Sequence, residues 1–553
     1  MKTSALVSAA VLVGVGSVLG AALAACGSSS SSVGANDGGG TQSNQDGSSV
    51  NLLDDGGLGN GGDGSNAGCT GLQCQVHSCP GVTTGTTITG HVYDPAGNNP
   101  LYNVVVYVPN STVEPLPAAP TDQCGSCNSL YTGSPIAAAI TDPTGLFTMT
   151  NVPDGANIPL VVQIGKWRTQ LVIPQVTACG SNDLDKLLSA KVTLPSVAGV
   201  STTPGPTLGL PQDIPQIAVS TGGADTLECL LRRIGVNASE YTRGGGGTGH
   251  IHIFQGSTVP GQLPNAAKMN SAGGATPSAL ASLWDQGSDL SPYDILILSC
   301  EGQETTGTAG GTAGSLTPTE LSGLQSFTNA GGRAFLSHFH YKWLNTGPFS
   351  TATPPLAAWT AGANPIEDKG GIGSQSILGN IDTTLSDGGT FVKGTAFLQW
   401  LQVTNALTGT QLPIVEAKEN AAVTAADTPS QTWISADSNA VTEDNLGNPT
   451  STSAAGATEY FTFDTPLGGN GTDDAGETTY CGRVVYSDLH VGGASGDYPG
   501  QQQANSNPIV PDGCANNPLS PQEKALEFML FDLSSCVTPD TGPGQGPPPI
   551  IIK

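Results

Sequence analysis

Residues 293–299 read YDILILS, a near-continuous apolar run without alternation. Such a strand keeps no face for water, so it belongs inside a sheet covered on both sides. The surrounding pattern agrees. Residues 214–220 read as a strand, followed by the loop Thr221-Gly222-Gly223. A helix over 226–234 follows, with Asp225 as its expected N-cap and Leu227, Leu230, Leu231 and Ile234 on one apolar face. Residues 251–254, 333–337 and 483–488 are further strands. Thr317-Pro318-Thr319-Glu320 and Ser520-Pro521-Gln522-Glu523 are capping boxes with proline at the first helical position. They open helices through Asn329 and over 524–533. Strands alternating with helices predict a doubly wound α/β domain over 212–345 and 479–537. The Thr-, Gly-, Asn- and Ala-rich stretch 346–478 reads as a β-rich insertion, with strand-like pieces at Phe391-Val392, 400–403 and 460–463.

The preceding stretch has a different period. ITGHVYDPAGNNPLYNVVVYV and ITDPTGLFTMTNVPDG combine short alternating runs with Asp-Pro and Pro-Asp-Gly turns, as in a small sandwich. These residues resemble a carboxypeptidase regulatory-like domain, a transthyretin-like β-sandwich grouped with carbohydrate-binding-like folds. The resemblance implies a Cys-rich sandwich over 67–200 and is nearly silent on activity. In the α/β half, YDILILSCEG, LTPTELSGLQSFTNAGGRAFLSHFHYKWL and GRVVYSDLHV resemble the trehalose-utilisation-like and class I glutamine amidotransferase-like folds. That resemblance implies a flavodoxin-like sheet, a functional residue at the turn after strand 333–337 and a histidine after the last strand. The turn carries Ser337-His338-Phe339-His340 with no Gly-x-Cys-x-Gly elbow, which argues against glutamine hydrolysis, while His490 matches the late histidine.

The N-terminus points to the cell envelope. Lys2, an uncharged apolar run over 5–25 and then Leu23-Ala24-Ala25-Cys26 resemble a bacterial lipoprotein signal. The resemblance implies cleavage after residue 25, lipidation of Cys26 and a lipid-anchored protein, by expectation at the outer membrane, facing the periplasm or the surface. An uncleaved membrane anchor is the alternative. Residues 26–66 are a Gly/Ser/Asn/Asp tether and 538–553 a Pro/Gly-rich tail, both expected to be disordered. With 17 Lys+Arg against 44 Asp+Glu, the net charge of −27 excludes nucleic acid as a partner. Twelve cysteines leave eleven after Cys26. In an oxidising compartment these read as disulfides, with one thiol left over. Zinc is the competing reading for Cys124, Cys127 and the group Cys69, Cys74, Cys79 with His77. For Cys300, which adjoins Glu301, a disulfide is favoured over a reactive thiol.

In open α/β sheets ligands bind beyond the carboxyl ends of the strands. This selects Gly222, Gly223, Asp225, Glu301 and His340 as ligand-binding candidates and His338, His490 and Asp488 as catalytic ones. His338, His340 and His490 are candidate ligands for zinc or another divalent metal. Alternatively, His338 and His340 hold the turn by hydrogen bonds. His250 and His252 read as strand residues. The expected function is ligand binding at the envelope, with a glycan or another envelope component as partner. The alternative is an envelope hydrolase or isomerase acting at the His-rich cleft.

Overall fold

The computed structural model describes residues 69–119, 131–222, 224–244, 247–256, 278–279, 281–286, 289–302, 304, 316–369, 376–385, 388–472, 478–491, 514 and 517–538. Cys26, the tether, Cys124, Cys127, Gly223 and most of the tail lie outside them. The chain is β-rich with few helices and several sheets, and the described residues fall in one folded unit.

The N-terminal part has two sheets. One orders Leu146–Met149, Thr87–Tyr93 and Ser181–Asp183, with Val192–Thr193 also pairing the central strand. The other orders Pro135–Ile140, Val105–Pro109, Gly155–Ile164, Trp167–Val176, Pro211–Asp213 and Gly199–Val200. In Thr87–Tyr93 every second residue is buried, the period-2 signature of a strand with one face on a core. Ile88, Val92 and Phe147 of the first sheet share a hydrophobic cluster with Val106, Leu160 and Val162 of the second. The larger sheet runs on to Asp213, past the expected boundary at 200.

The main sheet contains β1 (Ile217–Ser220), β2 (Tyr241–Arg243), β3 (Ile251–Gln255), β4 (Ile295–Leu298), β5 (Arg333–Ser337), β6 (Ser376–Ile381), β7 (Gln411–Val415), β8 (Gln431–Ala436), β9 (Thr458–Thr465) and β10 (Gly482–Ser487). Their order is β2-β3-β1-β4-β5-β10-β9-β8-β6-β7, and a short strand, Ser278–Ala279, pairs with the end of β3. Strands β2 to β10 in that order are parallel. From β10 onward each pairing is antiparallel. All four residues of β4 are buried, as its unbroken apolar run requires.

Among the described residues the longer helices beside this sheet are α1 (Leu227–Arg233), α2 (Pro318–Asn329), α3 (Val392–Val403) and α4 (Pro521–Ser534). Both capping boxes form, Thr317 with Glu320 and Ser520 with Glu523. At α1 the N-cap is Thr226, not Asp225. The side chain of Asp225 is drawn into the sheet instead, where it accepts a hydrogen bond from Ser337 Oγ at 2.8 Å.

The stretch 346–478 extends the main sheet through β6 to β9 rather than standing apart. Its pieces Phe391-Val392 and 400–403 are not strands: they are the two ends of α3. Phe397, Trp400 and Leu401 are buried on one side of that helix, and Phe397 and Trp400 meet Phe528 of α4 at ring distances of 4.8 and 5.6 Å. The sandwich docks on the same helix. Tyr102 stacks on Phe528 at 5.8 Å, and Asn99 Nδ2 donates to Glu527 Oε2 at 2.6 Å.

Disulfides join Cys69–Cys74, Cys79–Cys179 and Cys229–Cys514, and Cys481 and Cys536 are also disulfide-bonded. Cys300 is the free cysteine among the described residues and is buried. The expectation of a disulfide there is therefore overturned. The residue sits past the carboxyl end of a central strand, with two histidines rather than a cysteine beside it.

Candidate metal centre

Three neighbouring strands deliver the site. Cys300 follows β4, His338 follows β5 and His490 follows β10. Cys300 Sγ lies 3.4 Å from His338 Nδ1, and His338 Nδ1 lies 3.1 Å from His490 Nε2. Each residue offers one ligand atom, all within 4.8 Å of one another, and all three side chains are buried. This Cys/His/His cluster could hold a metal ion.

The far side of each ring is fixed. His490 Nδ1 faces Glu416 Oε2 at 2.8 Å; a carboxylate only accepts, so that nitrogen carries the proton. His338 Nε2 faces Asn420 Oδ1 at 3.1 Å. Asn420 Nδ2 donates to Thr360 O and Gly362 O, both at 2.7 Å, so its oxygen must be the atom turned to His338. The 3.1 Å contact then needs a proton between the rings, which His490 Nε2 donates to His338 Nδ1; without that proton both inner nitrogens would offer lone pairs beside the Cys300 sulfur.

Two non-glycine residues at the site hold left-handed backbone, His338 with φ 40° and Glu416 with φ 61°. Such conformations cost free energy and cluster where a side chain must be aimed. His338 makes the turn out of β5; Glu416 makes the turn out of β7. The segment 416–421 is pinned by Asp488, whose Oδ2 accepts from Asn420 N at 2.5 Å and Ala421 N at 2.9 Å. Tyr486 Oη donates to Asp488 Oδ1 at 2.9 Å.

Burial holds His338 well below the usual imidazole range, reinforced by the charge on His490. At His490 burial acts downward, but the Cys300 sulfur and Glu416 outweigh it and hold the ring up at about 10. Burial pushes Asp488 up to about 6, against the hydrogen bonds it accepts.

His338 and His490 thus converge, as their positions after β5 and β10 predict. His340 does not join them. Its Nε2 donates to Ser299 O at 2.9 Å, and its Nδ1 accepts from Trp343 Nε1 at 3.2 Å, so it holds the turn. The metal set His338, His340, His490 is corrected accordingly: Cys300 stands where His340 was expected. Asp488 orders the neighbouring loop and is not among the clustered ligand atoms. Glu301 is buried beside Cys300.

Gly222 serves packing: a Cβ there would collide with the carbonyl oxygens of Cys300 and Asp225. His250 bonds Glu240, and His252 bonds Tyr293 and Gly249, away from the cluster. Glu416 and Asn420 escaped sequence reasoning. Their one signal is the charge in the run Glu416-Ala417-Lys418-Glu419-Asn420, which Glu367-Asp368-Lys369 matches elsewhere in the insertion.

No known protein family matches the sequence, and no curated protein matches it. Among solved structures, two type II cohesin–X-dockerin complexes from Acetivibrio cellulolyticus, an N-terminal and a C-terminal interface mutant, share 15% identity with this chain. They cover 29% of it and 77–78% of their own chains, with TM-scores of 0.13 and 0.14. Similarity at that level defines neither fold nor partner.

Proposed function

We propose that this chain is a cell-envelope lipoprotein, anchored through Cys26, whose flavodoxin-like α/β domain is a hydrolase built on a zinc-type centre of Cys300, His338 and His490. The convergence of three ligand atoms from three strand ends, each ring oriented from behind, carries this reading. A thiolate and two imidazoles suit zinc. Zinc–sulfur and zinc–nitrogen bonds of about 2.3 and 2.0–2.1 Å give tetrahedral edges of roughly 3.6 Å (S–N) and 3.3 Å (N–N). The observed 3.4 and 3.1 Å lie close to these. Glu416 and Asn420 fill the supporting role in which a ligand histidine passes its second N–H to an acceptor.

Three protein ligands leave a fourth position open, as in catalytic rather than structural zinc sites. A metal there would supply a water ionised near neutrality and polarise a substrate oxygen. Glu416 and Asn420 keep the two imidazoles turned to the centre, where all three candidate ligand side chains are buried. The donor set supports reading the site as hydrolytic rather than as a simple ligand pocket; the sandwich remains the candidate for contact with a glycan or another envelope component.

The test is elemental analysis of the full-length protein in detergent, its disulfides intact, dialysed against a trace-metal mixture. Near-stoichiometric zinc or another transition metal is expected, lost in Cys300→Ala and His490→Ala. A wild-type protein that stays metal-free refutes the centre. Hydrolytic activity that persists without metal yet vanishes in Cys300→Ala replaces it with a thiol nucleophile.

A further inference from the structure

Gln522 lies in the first turn of α4, where a glutamine ordinarily points into water. Here it is 1% exposed. Its Oε1 accepts from Val415 N at 3.0 Å, and its Nε2 donates to Val415 O at 2.9 Å and to His490 O at 2.9 Å. Three of the four hydrogen bonds an amide side chain can form therefore go to two backbone segments distant in sequence. One is the residue before Glu416; the other is His490 itself.

The side chain of Gln522 is placed from both ends. Ser520 and Glu523 close the capping box around it, and Glu523 also pairs with Arg233 of α1. Val415 is the last residue of β7, the edge strand of the main sheet, and pairs with Ser376 on its inner side. On its outer side Gln522 presents one acceptor and one donor, as the backbone of a further strand would. Immediately after Val415 the chain turns through the left-handed Glu416. The next residue, Ala417, bridges Leu489, the residue before His490.

We infer that Gln522 is a positioning residue for the metal centre: it fixes the register between Glu416 and His490 by holding the backbone of both segments, so that the carboxylate meets Nδ1 and Nε2 faces the metal. This inference rests on the metal reading of the site. Capping the edge of β7 alone would require only the two bonds to Val415; the third, to His490 O, ties the same amide to the ligand.

The experiment is a double-mutant cycle on the full-length protein with Gln522→Met, Glu416→Ala and the pair, read as zinc affinity by competition with a chromophoric chelator. Removing a partner that orients a ligand histidine costs about 10- to 100-fold in affinity. Each single variant is expected to lose that much, with the pair losing clearly less than the product, because both act on one imidazole. Independent losses that multiply, or wild-type affinity in Gln522→Met, overturn the inference. Gln522→Glu keeps the shape and the acceptor for Val415 N while leaving at most one of the two donated bonds; it decides the matter if the methionine variant fails to fold.

The imidazole Nδ1–H resonance of His490, read by NMR in metal-free protein, gives a second criterion. It should be slow to exchange in wild type and lost in both Gln522 variants; an unchanged resonance sinks the positioning role. A wild-type protein that binds no zinc refutes the centre itself, a result distinct from either failure of Gln522.

Discussion

Gly222→Ala tests how the backbone places the thiol. Gly222 leaves β1 at the point where the turn approaches the end of β4. Ala224 N and Asp225 N donate to Cys300 O at 3.0 and 3.2 Å, so that turn holds the backbone of the sulfur-bearing residue. A Cβ on Gly222 would sit 2.5 Å from Asp225 O and closer still to Cys300 O. A carbon and a carbonyl oxygen normally stop at about 3.3 Å, so at least ~0.8 Å of movement is forced, and all of the obstructing atoms are backbone. Metal–ligand distances tolerate only about 0.2 Å. Straining two backbone hydrogen bonds and overpacking the turn should cost about 2–4 kcal/mol. The expected outcome is a folded protein of lower stability in chemical denaturation. Its cobalt derivative should show a weakened thiolate-to-metal charge-transfer band and at least about a 10-fold loss of zinc affinity. A Gly222→Ala protein with wild-type affinity and an intact cobalt spectrum would show that the turn does not set the sulfur's position.

Other perturbations probe the scaffold. Burial pushes Asp382 up to about 6, only partly offset by the Ser435 hydroxyl. An unfolded carboxyl titrates near ~3.9, so the folded state binds the extra proton between the two values, and stability must fall as pH rises from about 4 to about 6, by at most ~3 kcal/mol. Asp382→Asn should flatten that slope and gain about 1–2 kcal/mol at pH 7; chemical denaturation at pH 4 and pH 7 reads both. Arg483 donates to Asp464, Asp532 and Thr538 O in a buried network. Arg483→Met strands two carboxylates and should cost roughly 3–5 kcal/mol in urea unfolding; a loss below 1 kcal/mol would contradict it. The Cys79–Cys179 bridge spans 100 residues. Replacing both cysteines by alanine should cost about 4–5 kcal/mol by loop entropy, visible as early thermal loss of sandwich structure while zinc binding persists.

Most of the parallel half was legible because its signals are local. An unbroken apolar run can only be an inner strand, and two capping boxes announced two helices, the second of which begins three residues earlier than expected, at Pro521. The rule that ligands gather at carboxyl strand ends then placed His338 and His490 together without coordinates. Besides the N-cap at Asp225, three further expectations failed for physical reasons that sequence does not display. His340 follows His338 by two residues, which in a strand would put both on one face. The chain instead turns through a left-handed His338, and His340 swings under Ser299. The aromatic pieces at 391–392 and 400–403 read as strands because their helical spacing shows only when the whole run 391–403 is taken together. Cys300 read as half of a disulfide because parity counts cysteines but cannot say which one is left over.

Glu416 and Asn420 were illegible for a deeper reason, which lies in the reversal of the sheet. β10 is the last parallel strand, and β9 beside it runs the other way. The amino end of β9 therefore sits against the carboxyl end of β10: Asp488 N donates to Glu459 O at 2.7 Å, and Thr458 Oγ1 accepts from Val423 N at 3.0 Å. Chain returning from β7 is brought across the ligand ends of the parallel strands, where Asp488 catches its backbone. In a wholly parallel sheet the chain beyond the last strand would offer no such return. The antiparallel extension, contributed by a segment that reads in the sequence as a separate β-rich insertion, supplies both residues that orient the histidines. Asp488→Ala should therefore free the 416–421 segment and weaken zinc binding as much as removing Glu416, about 10- to 100-fold, although Asp488 is not among the clustered ligand atoms. Wild-type zinc affinity in a folded Asp488→Ala protein would break the link between the sheet's reversal and the centre.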